Sequence, residues 1–200
     1  MLTSTYTLVA LSVEQSRARV EVQALLERWR PSAWWGEPPA LRQYEQACDG
    51  LRRVVDACHW RKLDKFVLPA LRRRGAGNSA GNSTATEALL AELDALSRRA
   101  AEARAAAQSA AVKGDPGCLA AIERCCQLLL ERLDLEERKL LPLARSVIPG
   151  EAWFAIANQM LAHDNYQNEH RGTPPAPDAN GPPARGGGFA RQNNVLSLVN

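Results

Sequence analysis

Histidine is scarce in this chain, with three in 200 residues, and none falls between positions 60 and 162. The middle of the molecule therefore has no imidazole for metal binding or proton transfer. Cysteine is little better supplied: Cys48, Cys58, Cys118, Cys125 and Cys126 make an odd number, two of them adjacent. No CxxC or Cys/His zinc spacing occurs, so neither a disulfide framework nor a zinc site is indicated. The cysteines read as small core residues of a protein in a reducing, cytosolic setting. No window approaches the ~18 consecutive apolar residues of a membrane span. The first residues lack the positive start and unbroken apolar stretch of a secretory signal. Charge of either sign is not in excess: the net value is +3 and the pI near 8.7. Arg72-Arg73-Arg74 and Arg98-Arg99 are short enough to be solvated helix faces, and aromatics do not interleave with basic residues as single-stranded nucleic acid would need. Nucleic acid and membrane are thus not expected as partners. Also missing are a nucleophile elbow, a phosphate-binding glycine loop, a dinucleotide fingerprint and a zinc-protease helix. The expectation is a protein that is not an enzyme.

What is present is helical periodicity, and no convincing strand. The 46% hydrophobic content of this length suffices for one domain with a core. A first helix over about residues 7–29 carries Leu8, Leu11, Gln15, Ala18, Val22, Leu25 and Trp29 on one stripe. The Pro31 and Gly36–Pro39 region ends it, and Trp34-Trp35 reads as a cap over one end of the molecule. A second helix over about residues 41–68 places Cys48, Leu51, Val55, His59 and Phe66 inward, with Leu63 beside that line. Residues 75–86, rich in Gly, Asn, Ser and Thr, read as a flexible connection. A third helix, about residues 86–112, turns Leu89, Leu93, Leu96, Ala100 and Ala103 inward. Lys113-Gly114-Asp115-Pro116 stops it and starts a fourth, which runs to about Val147 and is disturbed near Pro142. A shorter fifth helix presents Trp153, Ile156 and Met160. The expected fold is all-α: an antiparallel up-down-up-down four-helix bundle with a short fifth C-terminal helix, spanning residues 1–170. Residues 171–200 are Pro- and Gly-rich and read as a disordered tail.

The informative exceptions are polar residues on buried stripes. On the fourth helix, Leu119, Ile122, Cys126, Leu129, Leu133 and Leu140 recur at helical spacing, and the step from 133 to 140 passes through Glu136. A buried carboxylate is costly unless it is protonated, paired or metal-bound. Gln15 on the first helix, His59 and Asp64 on the second, and Arg132 with Glu136 or Glu137 on the fourth lie at similar depth.

These residues also carry a resemblance. His59-Trp60-Arg61-Lys62-Leu63-Asp64, followed by Val67-Leu68-Pro69, resembles the second-helix motif of the hemerythrin-like (HHE, cation-binding) family, a His-His-x-x-Glu-Asp run before an apolar-apolar-Pro end. Arg132-Leu-Asp-Leu-Glu136-Glu137, followed by Leu140-Leu141-Pro142, is similar to its fourth-helix motif, His-x-x-x-Glu-Glu before Leu-Leu-Pro. Ile148-Pro-Gly-Glu-Ala-Trp153 matches the usual continuation, and the resemblance covers roughly residues 7–165. It implies a four-helix bundle holding two non-haem irons through histidines and bridging carboxylates. Carried over residue by residue, the ligand positions are altered. His59 fits a ligand histidine and Glu136 or Glu137 a carboxylate, but Leu63 replaces a carboxylate, Trp60 and Arg132 replace histidines, and Gln15 stands for the first-helix histidine. The third-helix histidines are absent, and His163 and His170 lie outside the implied shell.

A di-iron centre needs several imidazoles and at least two carboxylates. Arg132 would repel a dication, whereas among Glu136, Glu137 and Asp64 it would supply the positive charge the metal once gave. The leading reading is a hemerythrin-like protein whose di-iron site is largely lost, serving as a structural, regulatory or protein-binding module with an unidentified protein partner. Its alternative is an iron-containing oxygen or redox sensor that uses His59, Glu136 and Glu137 as a residual site. A third reading is an unrelated helical partner-binding protein.

Overall fold

The computed structural model describes residues 2–29, 40–59, 61–75 and 80–171. Trp34, Trp35, Trp60 and the 172–200 tail, each given a role above, lie outside the described residues. Among the described residues every element is helical and no strand occurs. No helix is long and apolar enough to cross a membrane.

Helix α1 (Leu2–Arg28) begins five residues before the sequence pattern does. Its inward stripe is as expected: Leu11, Gln15, Ala18, Val22 and Leu25 are all buried. Helix α2 (Leu41–His59) opens with the Ala40 N–H donated to Gln43 Oε1 at 2.6 Å, which satisfies a donor at the helix start. It lies close to α1 at Gly50, where a Cβ would stand 2.9 Å from Leu25 Cδ1.

The second helix is not continuous. It is interrupted at Arg61 and resumes as a π-helical segment, Leu63–Val67, then α3 (Leu68–Gly75). The same sequence of events recurs later: α5 (Gly117–Leu135), a π segment over Glu136–Leu140, and α6 (Leu141–Val147). In each case a leucine N–H reaches back five residues, Leu68 to Leu63 O and Leu141 to Glu136 O. Each of those leucines is followed by proline. A proline inside a helix lacks its N–H and pushes against the carbonyl four residues back, and a widened turn just before it relieves both conflicts. The disturbance expected near Pro142 is this segment; its counterpart before Pro69 interrupts a helix that the sequence pattern runs straight to residue 68.

Helix α4 (Ala80–Val112) starts inside the stretch that reads as a flexible connection. Ser, Thr and Asn cost a helix only fractions of a kcal/mol each, so a well-packed stripe from Leu89 onward can carry the helix backward through them. At its other end Gly114 adopts φ 65°, and the N–H groups of Gly114 and Asp115 return to the carbonyls of Ala111 and Ala110. This is a Schellman ending. Asp115 Oδ1 then accepts the Gly117 N–H at 2.8 Å and starts α5.

Helix α7 (Gly150–Arg171) has 22 residues and is not short. Trp153, Ile156 and Met160 are buried as expected. It packs along α1 and the first π segment. Helices α1, α2, α4 and α5 touch in a closed circuit, α1 on α2, α2 on α4, α4 on α5 and α5 on α1. The buried residues of this circuit form one core.

Candidate functional site

Polar residues from the middle of α1, from the two π segments and from the residues just before each of them form one ionic cluster inside that core. Glu136, the first residue of the second π segment, is 0% exposed. Arg61 grips it with both guanidinium ends, Nη1 to Oε2 at 2.7 Å and Nη2 to Oε1 at 2.8 Å. Gln15 donates Nε2 to Oε2 at 3.0 Å. Arg132, one turn earlier on α5, brings Nε to 3.1 Å from Oε1, a charge contact out of line for a hydrogen bond. Asp64 completes the set, accepting from Arg61 Nη2 at 3.2 Å through Oδ2 and from Arg132 Nη2 through Oδ1. Two guanidiniums and two carboxylates sum to zero charge in the interior.

Arg61 lies at the interruption of the second helix. With α2 ended at His59, the Arg61 Nε donates to the Cys58 carbonyl at 2.8 Å, and the Lys62 N–H is taken by Glu14 Oε2 at 2.9 Å. The break thus has its freed backbone groups satisfied, one by Arg61 itself and one by α1. Burial opposes the Arg61 charge, but Glu136 and Asp64 outweigh it and raise its pKa above the ordinary arginine value. Burial also lifts the Asp64 carboxyl above its usual range, with the two arginines pulling the other way.

Of the residues singled out from sequence, Gln15, Asp64, Arg132 and Glu136 come together here. Leu63 is buried and fills space beside them. Two expectations are corrected. His59 is exposed at the end of α2, because the inward stripe is Tyr44, Ala47, Leu51, Val54, Cys58 and Arg61, one helical step away from the assumed line. Glu137 is also outward, 61% exposed, where it pairs with Arg19 at 2.9 Å beside Asp134. Arg61 is the residue that sequence reasoning missed. Its signal was available: the positions 44, 47, 51, 54, 58 and 61 alternate three- and four-residue steps without a fault.

The donor set does not fit a di-iron centre. Both oxygens of Glu136 are occupied by N–H donors, Gln15 turns its NH₂ rather than its oxygen toward the carboxylate, and two fixed positive charges face the space a dication would need. Among the described residues no group of three His, Cys, Asp or Glu side chains is arranged to hold a metal.

A polar cleft adjoins the cluster on the α7 side. Lys62 Nζ pairs with Asp164 at 2.8 Å, and Lys65 Nζ lies 3.2 Å from His163 Nε2, with the His163 ring edge-on to Phe66. Burial and then Lys65 hold the His163 pKa below its ordinary value. Searches against protein-family models, curated proteins and solved structures return no match for this chain.

Proposed function

We propose that this chain is a hemerythrin-like, up-down-up-down four-helix bundle in which a guanidinium–carboxylate cluster stands in the place of the metal centre, and that it acts as a non-enzymatic structural, regulatory or protein-binding module. The observation that carries this reading is the bidentate grip of Arg61 on the fully buried Glu136. A carboxylate in that position must be balanced by positive charge. In the family the sequence resembles, iron gives that charge; here Arg61 and Arg132 give it, and Gln15 and Leu63 occupy two further altered positions. The closed circuit of α1, α2, α4 and α5 suits the bundle, and α7 lies against it as an accessory helix. The reading uses no open coordination position and no substrate, and it assigns the helical architecture a structural, regulatory or protein-binding role.

The test is to express the full chain in iron-supplemented medium, purify it without chelator, and measure iron per chain by elemental analysis alongside the visible spectrum. The expected result is substoichiometric iron and no oxo-bridged absorption. Close to two irons per chain would overturn the reading and restore the oxygen- or redox-sensor alternative.

A further inference from the structure

Away from the ionic cluster, Cys48 on α2 and Cys118 in the first turn of α5 point at each other with Sγ atoms 3.8 Å apart. They are 70 positions apart in sequence, so only the packing of α2 against α5 brings them together. Cys48 is half-buried, while Cys118 is fully buried. The other cysteines are placed differently; Cys125, for example, donates its thiol to the Ala100 carbonyl. A disulfide needs the sulfurs at about 2.05 Å, so each has to move by roughly 1 Å, within reach of side-chain adjustment on two rigid helices.

We propose that Cys48 and Cys118 form an oxidative modification site that takes a hydroperoxide and closes to an intramolecular disulfide between α2 and α5. The Cys48 thiol gives up its proton and the thiolate attacks a peroxide oxygen; the O–O bond breaks, leaving a sulfenic acid on Cys48 and, for hydrogen peroxide, a hydroxide that takes up the Cys48 proton as water. The Cys118 thiolate then attacks the Cys48 sulfur; the S–O bond breaks and hydroxide departs with the Cys118 proton as a second water. Two thiols and one hydrogen peroxide give one disulfide and two waters, the sulfurs losing two electrons and the peroxide oxygens gaining them. Burial pushes the Cys118 thiol up to about 12 and lifts Cys48 above its ordinary value as well. The site is therefore slow at neutral pH, and its closure accelerates as pH rises, by up to about tenfold per unit while thiolate is limiting.

The experiment uses the full chain, reduced and then exposed to hydrogen peroxide, with remaining thiols alkylated before proteolysis and mass spectrometry. The expected product is a linked pair of peptides carrying Cys48 and Cys118, two hydrogens lighter than the reduced pair and separated again by dithiothreitol. Oxidation of the wild type should raise the thermal midpoint by roughly 5–15 °C, because the bond closes a long loop in the unfolded chain. Cys48→Ser and Cys118→Ser should each abolish that rise, and Cys58→Ser should retain it. Alkylation of both Cys48 and Cys118 after peroxide treatment, or linkage of either to another cysteine or another chain, would overturn the proposal. The peptide map of the wild type decides this even if a variant folds poorly, and neither outcome depends on the metal content of the ionic cluster.

Discussion

Glu136 and Glu137 are chemically almost the same residue, and one helical step gives them opposite roles. Glu136 is enclosed by Arg61, Arg132 and Gln15, while Glu137 shares Arg19 with Asp134 at the surface. Removing one partner of a buried pair strands the other, at a cost of about 3–5 kcal/mol, whereas an exposed pair contributes about 0–1 kcal/mol. Urea denaturation should therefore show Glu136→Gln and Arg61→Met destabilised by ~3–5 kcal/mol and Glu137→Gln changed by less than ~1 kcal/mol. Comparable losses for the two glutamates would show that Glu136 is solvated. The cluster as a whole behaves differently from its members. Replacing Arg61, Asp64, Arg132 and Glu136 together by Met or Leu removes the desolvation of four charges, so that variant should be near neutral or more stable by ~1–4 kcal/mol. Its unfolding midpoint measured beside that of Arg61→Met separates a costly interior charge balance from a stabilising one. Glu136 is legible in the sequence because it interrupts a row of leucines; Arg61 stands on an equally regular stripe but reads as a surface residue, because long basic side chains are normally assigned there.

At the scale of elements, stripes of apolar residues on α1, α4, α5 and α7 could be read directly, since each lies on an unbroken helix with one phase. The second helix could not. It carries two competing phases, that of Cys48, Val55 and His59 and the buried one of Tyr44, Ala47, Cys58 and Arg61, and the π segment before Pro69 shifts the phase again so that Leu63 and Val67 are buried. Chain breaks of this kind depend on partners from other helices, here Glu14 of α1 on the Lys62 N–H, which local patterns do not contain. Turn chemistry was more legible. Gly114 sits at positive φ in open space, so Gly114→Ala should cost about 1–2 kcal/mol of stability from backbone strain alone, measurable by thermal unfolding. The docking of α7 gives a pH dependence. His163, facing Lys65, Lys62, Asp164 and Phe66, is held below its ordinary 6.5 first by burial and then by Lys65. Between its lowered value and 6.5 the unfolded chain binds more protons than the folded one, so this contribution is present above 6.5 and lost as pH falls through that window. The raised Glu14 and Asp64 act with the opposite sign in the more acidic range, where the folded chain holds the extra proton. Urea midpoints taken across the window should fall toward acid in the wild type, and His163→Gln should flatten the slope; an unchanged slope would mean that His163 does not report on α7.

At the scale of the molecule, the question is what the shared core of α1, α2, α4 and α5 depends on. A bundle organised around bound metal has its stability linked to that metal. A ligand present at 100 times its Kd adds about 2.7 kcal/mol, which for a chain of this size is a thermal midpoint shift of roughly 5–10 °C. Here the interior carboxylates already have their counter-charges on Arg61 and Arg132, which belong to the chain and cannot be extracted. Overnight incubation of the purified protein with EDTA should accordingly leave the thermal midpoint within about 2 °C of its starting value. Addition of Fe(II) or Zn(II) afterwards should leave it there too, because an incoming dication would have to displace two guanidiniums from Glu136 and Asp64 and then sit beside them. A drop of several degrees with EDTA that metal reverses would mean the folded state holds a cation, and that the arginines can swing away from their carboxylates to admit it. The Arg61→Met variant sharpens the comparison, since it removes one guanidinium and leaves Glu136 in need of a cation. If the arginine has taken over the electrostatic duty of a metal, midpoint elevation by added divalent ions should emerge in that variant and not in the wild type.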